Sequence, residues 1–166
     1  TPYSPKRTLT NLLSVYDLDP GDTVYIDTAT NGHAYGVRFD PSDADGTVAS
    51  PITFVGPTNG ARAEFRFVPG FRNGFVLSNA LNVRIRALTI RGYTNGVRVV
   101  GASTNNLVVG NTVSSNAVRG VSFFGDDVDA NRIVSNMIDG KNYQINGVFI
   151  EDGDRNVITN NRIVGN

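Results

Sequence analysis

Two acidic strings are the densest concentration of chemistry in the sequence. Gly-Asp-Asp-Val-Asp-Ala-Asn at 125–131 carries Asp126, Asp127 and Asp129, and Glu-Asp-Gly-Asp-Arg-Asn at 151–156 carries Glu151, Asp152 and Asp154. Carboxylates are hard oxygen donors, so these residues brought together at one corner would suit Ca²⁺. Left unpaired they would repel one another, and Arg132 and Arg155 stand close by in the chain to relieve part of that repulsion. The spacing is not that of a calcium-binding nonapeptide repeat, and the same strings also read as hydrated polar turns that discourage aggregation. His33, the single histidine, follows Asn31-Gly32 and has no second histidine or cysteine with which to share a metal, so a surface turn is its expected place and no zinc centre is expected. Tyr93 and Tyr143 lie beside Asn95 and Asn142 in turn-like sequence, where a phenol ring can stack on a sugar or pack over a loop.

The elements that must position these groups emerge from an internal repeat. Val108–Val113 (VVGNTV), Ile133–Ile138 (IVSNMI) and Ile158–Ile163 (ITNNRI) each read aliphatic, two variable residues, Asn, one variable residue, aliphatic, and they start 25 residues apart. A degenerate copy, Ile85–Ile90, has Leu88 where the others have Asn111, Asn136 and Asn161. A second series, GFVL at Gly74, GVRV at Gly96, GVSF at Gly120 and GVFI at Gly147, alternates as half-buried strands do. Short strands recurring at such a period pair with the turn above and below, which makes parallel sheets around a narrow apolar interior. Stacked amides one strand spacing apart can donate to and accept from each other, so the three asparagines are expected to form a ladder at a bend, starting one coil after Leu88. Phe54, Phe65, Phe67, Phe75 and Phe123 are patterned for the interior.

The N-terminal half follows the plan less regularly. Strand-like runs occur at Thr23–Ile26, Gly36–Phe39, Pro51–Val55 and Glu64–Phe67, and the stretch from Asp40 to Pro51 reads as a loop. Ahead of them Leu9, Leu12, Leu13 and Tyr16 share a helical face with Thr8 as N-cap, and Pro20-Gly21 ends the run, so a helix within 6–18 is expected to cap the first coil. The expected whole is an all-β, right-handed parallel β-helix of about six coils over 22–166, one domain spanning 1–166. The sequence stops at Asn166 directly after a repeat motif, from which further coils or domains of a longer protein, or self-association through the last coil, are expected partners.

Composition narrows the functions. Lysine and arginine total 15 against 15 acidic residues, and only Lys6 and Lys141 are lysines, so no broad field favours nucleic acid. Without cysteine there are neither disulfides nor thiolate metal sites. No apolar run approaches the ~18 residues of a membrane span, and Thr1 begins in polar, Pro-rich sequence, so any export signal is expected to have been removed or to lie upstream. The 18 glycines, many asparagines and no tryptophan favour short strands and turns over helices.

The run PKRTLTNLLSVYDLDPGDTVYID, then SPITFVGPTNGARAEF, then the G-V-x-V and I-x-x-N-x-I coils, resembles the parallel β-helix proteins of the pectate-lyase-like type and the PbH1-repeat modules of large bacterial extracellular proteins. The resemblance implies a secreted or cell-surface protein and an acidic polysaccharide as partner. In enzymes of this type it further implies Ca²⁺ or a cationic side chain neutralising a uronate while a base removes the C5 proton. Candidate cationic groups are Arg84, Arg86, Arg98, Arg132 and Arg155, with Arg84 and Arg132 at equivalent positions two coils apart. Tyr35-Gly36-Val37-Arg38-Phe39-Asp40-Pro41 resembles the mannuronan epimerase string Tyr-Gly-Phe-Asp-Pro-His, with two residues inserted and Ser42 in place of histidine; on that likeness Tyr35 and Asp40 are catalytic candidates. The balanced charge and the want of an acid–base pair favour a non-catalytic scaffold or carbohydrate-recognition module. The alternatives are a polysaccharide lyase or uronate C5-epimerase, and a self-associating stalk.

Overall fold

The computed structural model describes residues 8–28, 32–33, 36–39, 45–142 and 144–166. The first element among the described residues is a five-residue helix, α1 (Leu9–Leu13), with the Thr8 hydroxyl accepting the Asn11 amide at 3.1 Å as its N-cap. It is shorter than expected, and Leu9, Leu12 and Leu13 pack against the core. The rest of the described residues form strands and turns. In chain order the strands are β1 (Thr23–Tyr25) and β2 (Val37–Phe39); then β3 (Ile52–Val55), β4 (Ala63–Arg66) and β5 (Asn73–Ser78); β6 (Val83–Arg86), β7 (Leu88–Arg91) and β8 (Asn95–Val100); β9 (Leu107–Val109), β10 (Thr112–Ser114) and β11 (Arg119–Phe124); β12 (Arg132–Val134), β13 (Met137–Asp139) and β14 (Asn146–Ile150); and finally β15 (Val157–Thr159) and β16 (Arg162–Val164).

β1 pairs with β3, and from β2 on every third strand pairs, always in parallel. Sheet A is β1-β3-β6-β9-β12-β15, sheet B is β4-β7-β10-β13-β16 and sheet C is β2-β5-β8-β11-β14. The chain is therefore a parallel β-helix. Among the described residues four coils carry all three strands, flanked at each end by a coil with two, so the count falls below the six expected from the repeat.

Register turns the sequence repeat into columns. In sheet A, Val24, Phe54, Ile85, Val108, Ile133 and Ile158 lie one above another. In sheet B the column is Phe65, Ile90, Val113, Ile138 and Ile163. In sheet C, Phe75, Val97, Val121 and Val148 stack beside Leu77, Val99, Phe123 and Ile150. The middle members of these columns are fully buried, each contributing about 1.5–3 kcal/mol of hydrophobic stabilisation. Two aromatic expectations change. Phe67 lies just past β4 and is 46 % exposed, whereas Tyr93 is fully buried, its hydroxyl donating to the Arg66 carbonyl at 2.9 Å. The tyrosine fills the interior of the B-to-C corner, and the Phe67 ring packs edge-on against it from outside, with centroids 6.3 Å apart.

The corners explain the asparagines. Between sheets A and B one residue takes a left-handed conformation in each coil: Ala87, Gly110, Ser135 and Asn160, with φ of 57, 62, 54 and 55°. The next residue is Leu88, Asn111, Asn136 or Asn161, so the strain falls on the position before the ladder and not on the ladder asparagine itself. Asn111 N–H donates to Asn136 Oδ1 at 2.9 Å and Asn136 N–H to Asn161 Oδ1 at 2.8 Å, while each Nδ2 bonds the next Oδ1 at 3.1 and 3.0 Å. The C-to-A corner repeats the device with Asn106, Asn131 and Asn156, a second ladder five positions before the first. Its signal in the sequence was that constant offset. A left-handed non-glycine residue costs roughly 1–2 kcal/mol, which the satisfied buried amides offset.

Candidate functional site

The alternation that buries one face of sheet C sends the intervening side chains outward. Val76, Arg98, Ser122 and Phe149 form one outer column, and Ser78, Val100 and Phe124 the next. Over this face two guanidinium groups converge on two phenyl rings. Arg98 Cζ and Arg119 Cζ each lie 4.8 Å from the Phe124 centroid, and Arg119 Cζ is 4.3 Å from that of Phe149. The rings are 5.3 Å apart at 38°. Beneath them Ser122 is fully buried, though its position faces out. Among the described residues neither guanidinium has an ion-pair or hydrogen-bond partner, and the Nε of each is buried without one. The cation–π contacts, about 0.5–2 kcal/mol each, hold the positive charges in place without neutralising them.

Val76 continues the face toward the N terminus. It lines a hollow of about 470 Å³ together with Thr10 of α1, Gly36, Phe71, Arg72 and Asn73. Phe71 is 43 % exposed there. Arginine and phenylalanine thus accompany each other from Phe71-Arg72 to Phe149 along one lateral strip. Planar guanidinium forks match carboxylates, and phenyl faces match the apolar face of a sugar ring. Of these residues only Arg98 was picked out from sequence. Phe124 and Phe149 are legible as large side chains at outward-facing positions of alternating strands, whereas Arg119 shares the parity of the inward Val121 and Phe123 and alternation does not place it on this face.

The other candidates fall elsewhere. Arg84 and Arg132 both pair with Leu107 and so share one outer column of sheet A, two strands apart, with Arg86 in the neighbouring column. Tyr35, Asp40 and Tyr143 lie outside the described residues. His33 bridges to Phe65 and is partly buried, its Nε2 2.9 Å from the Asp27 carbonyl oxygen and its ring stacked on Phe65 at 5.0 Å. The acidic strings do not stack as six carboxylates. Register pairs Phe123 with Ile150, which sets Glu151 beside Phe124, and Asp129 Oδ1 accepts the Asp154 amide at 2.6 Å. Five positions separate Phe124 from Asp129 but only three separate Glu151 from Asp154, so the turn holding Asp126 and Asp127 bulges. Asp126, Asp127, Glu151, Asp152 and Asp154 are exposed, and Asp129 Oδ2 faces Arg155 at 3.8 Å. Among the described residues no three of His, Cys, Asp and Glu form a group that could hold a metal ion.

Comparison with known proteins follows the same coils. Residues 21–166 match the family model of NosD, described as a periplasmic copper-binding protein. The chain belongs to the NosD family. A solved structure, the alginate lyase from Paenibacillus sp. str. FPU-7, aligns with this NosD-family chain at 16 % identity and a TM-score of 0.44, covering 86 % of this chain and 69 % of that one. No curated protein matches. Among the described residues no helix is long and apolar enough to cross a membrane.

Copper, named in the family's description, does not fit the donors of this NosD-family chain. Copper prefers thiolate, thioether and imidazole ligands, and the sequence has no cysteine, one histidine and one methionine. His33 bridges to β4, and Met137 stands on β13, four strand spacings or about 19 Å along the same sheet. They cannot share an ion.

Proposed function

We propose that this β-helix is a non-catalytic scaffold acting outside the cytoplasm, and that the outer face of sheet C recognises an acidic polysaccharide. The observation that carries the reading is the pair Arg98 and Arg119, stacked on Phe124 and Phe149 and lacking any counter-charge among the described residues. A uronate chain lying along the strip supplies what the cluster lacks: carboxylates for the guanidinium forks and ring faces for the phenyls. The periplasmic description of the family supports an exported location. The lyase reading is not favoured, because the groups gathered on this face are guanidiniums, which do not give up a proton to act as a base.

The test is calorimetric titration of the chain with alginate and pectate oligosaccharides, beside a neutral glycan of equal length. Acidic oligosaccharides should bind, binding should weaken as salt rises, and the Arg98→Gln/Arg119→Gln double variant should lose about tenfold or more in affinity. No unsaturated product should accumulate. Retention of no acidic glycan, or equal binding by the double variant, would remove the reading.

A further inference from the structure

Sheet A carries a separate basic feature on another side of the solenoid. Thr47, Val48 and Pro51 from the loop before β3 stand over Asn82, Arg84, Asn105, Leu107 and Arg132, enclosing a hollow of about 180 Å³. The loop is fastened to the coils beneath it. Gly46 N–H donates to the Leu81 carbonyl at 3.0 Å, Asn82 Nδ2 donates to the Gly46 carbonyl at 2.9 Å, and Asn105 Nδ2 donates in turn to Asn82 Oδ1. Gly46 is buried, and a Cβ there would come within 2.6 Å of the Asn82 carbonyl, so close seating of the loop requires glycine.

The two arginines of this hollow occupy one column. Leu107 separates them in register, which puts their strands two spacings, about 10 Å, apart. Their column neighbours Thr53, Leu107 and Val157 are uncharged, and among the described residues neither arginine has an ion-pair or hydrogen-bond partner. Elsewhere the chain does pair such groups: Arg91 meets Glu64 at 2.8 Å across adjacent strands of sheet B. Two unpaired forks at fixed separation, an apolar side chain between them, and amide and hydroxyl groups along one wall describe a receptor for two anions joined by a less polar spacer.

We propose that this hollow is a second binding site, specific for an acidic oligosaccharide whose carboxylate or sulfate groups on non-adjacent residues engage Arg84 and Arg132 together. It does not rest on the sheet C reading, and the test is arranged to keep the two apart. In the Arg98→Gln/Arg119→Gln background, a tetragalacturonate and a heparin-derived tetrasaccharide are titrated separately, with galacturonate monomer as the single-anion control. The result expected is binding of at least one tetrasaccharide at one per chain, the better ligand reporting whether carboxylate or sulfate is preferred. Arg84→Gln and Arg132→Gln should each weaken it about tenfold, should shift the Arg Nε–H resonance of the remaining partner, and should leave thermal stability unchanged because both side chains are exposed. Arg155→Gln, at a corner against Asp129, should have no effect. Failure of both tetrasaccharides to bind, affinity no better than the monomer's, or indifference to both substitutions would overturn the site. Loss of sheet C binding in the parent chain would not.

Discussion

A single asparagine shows how much of this molecule rests on one amide. Asn136 is buried and serves three coils at once, accepting the Asn111 amide, donating to the Val108 carbonyl at 2.9 Å and reaching Asn161 Oδ1. Asn136→Ala leaves the Asn111 backbone N–H and one side-chain N–H of Asn111 without their acceptor, and each buried orphan costs about 1–3 kcal/mol. Denaturant unfolding should show a loss of about 2–5 kcal/mol; a loss under 1 kcal/mol would mean that water or backbone shifts satisfy the corner. Asp139 offers a complementary pH test. The Lys141 ammonium bonded to its carboxylate, reinforced by the Lys141 backbone N–H at 3.0 Å, holds the Asp139 pKa below the ordinary carboxylate value. Its contribution to stability is therefore present above the unfolded-state pKa of roughly 3.9 and is lost as pH falls through the lower folded-state value. Comparison with Asp139→Asn by thermal melts from neutral to acid pH should show the two proteins converging as pH falls, and parallel curves would refute the pairing.

At the scale of the strand, the recurring Gly-Val pairs of sheet C have a steric cause. A Cβ on Gly74, Gly96 or Gly120 would lie 2.7, 2.6 or 2.6 Å from the carbonyl oxygen of the glycine one coil later, and each would also strike an interior methyl group. The column of glycines lets the chain turn from sheet B into sheet C while successive coils keep their spacing. Gly120→Ala should cost about 1–3 kcal/mol or more through overpacking, measured by chemical denaturation, since carbonyl and packed isoleucine both have to move. An unaffected midpoint would show that the corner is softer than this geometry requires. The glycines stood out in the sequence as the first letter of a repeat, but their reason is a contact between coils that no single segment contains. The outward face of the same strands is legible only in part for a related reason. Alternation announces that Phe124 and Phe149 point out, whereas the convergence of Arg98 and Arg119 on them depends on register across three strands and on Arg119 joining this face from the parity of the inward Val121 and Phe123.

Across the whole molecule, periodicity disclosed the stacked columns, because identical neighbours in space are near-identical strings in sequence. It says less about what the turns hold, since the turn before Asp129 is two residues longer than the turn before Asp154 that it meets in the next coil. The same one-dimensional construction makes energetic predictions that a globular core would not. Strand pairing joins each coil only to the coils beside it, so an interior residue matters according to how many neighbours cover it. Ile133 and Ile163 are both central strand isoleucines of the repeat motif, yet Ile133 is fully buried between Val108 and Ile158, whereas Ile163 is 41 % exposed, with Ile138 on one side. Ile133→Ala should cost about 2–5 kcal/mol, as for a large-to-small change in a closed core, and Ile163→Ala a small fraction of that. The two variants should also differ in kind under native-state hydrogen exchange. Loss at Ile133 should lower protection through the coils on both sides, while loss at Ile163 should speed exchange locally in β13 and β16 and leave β8 and β11 protected. Equal destabilisation by the two substitutions, or uniform loss of protection from either, would show that the coils unfold as one indivisible core instead of through nearest-neighbour coupling.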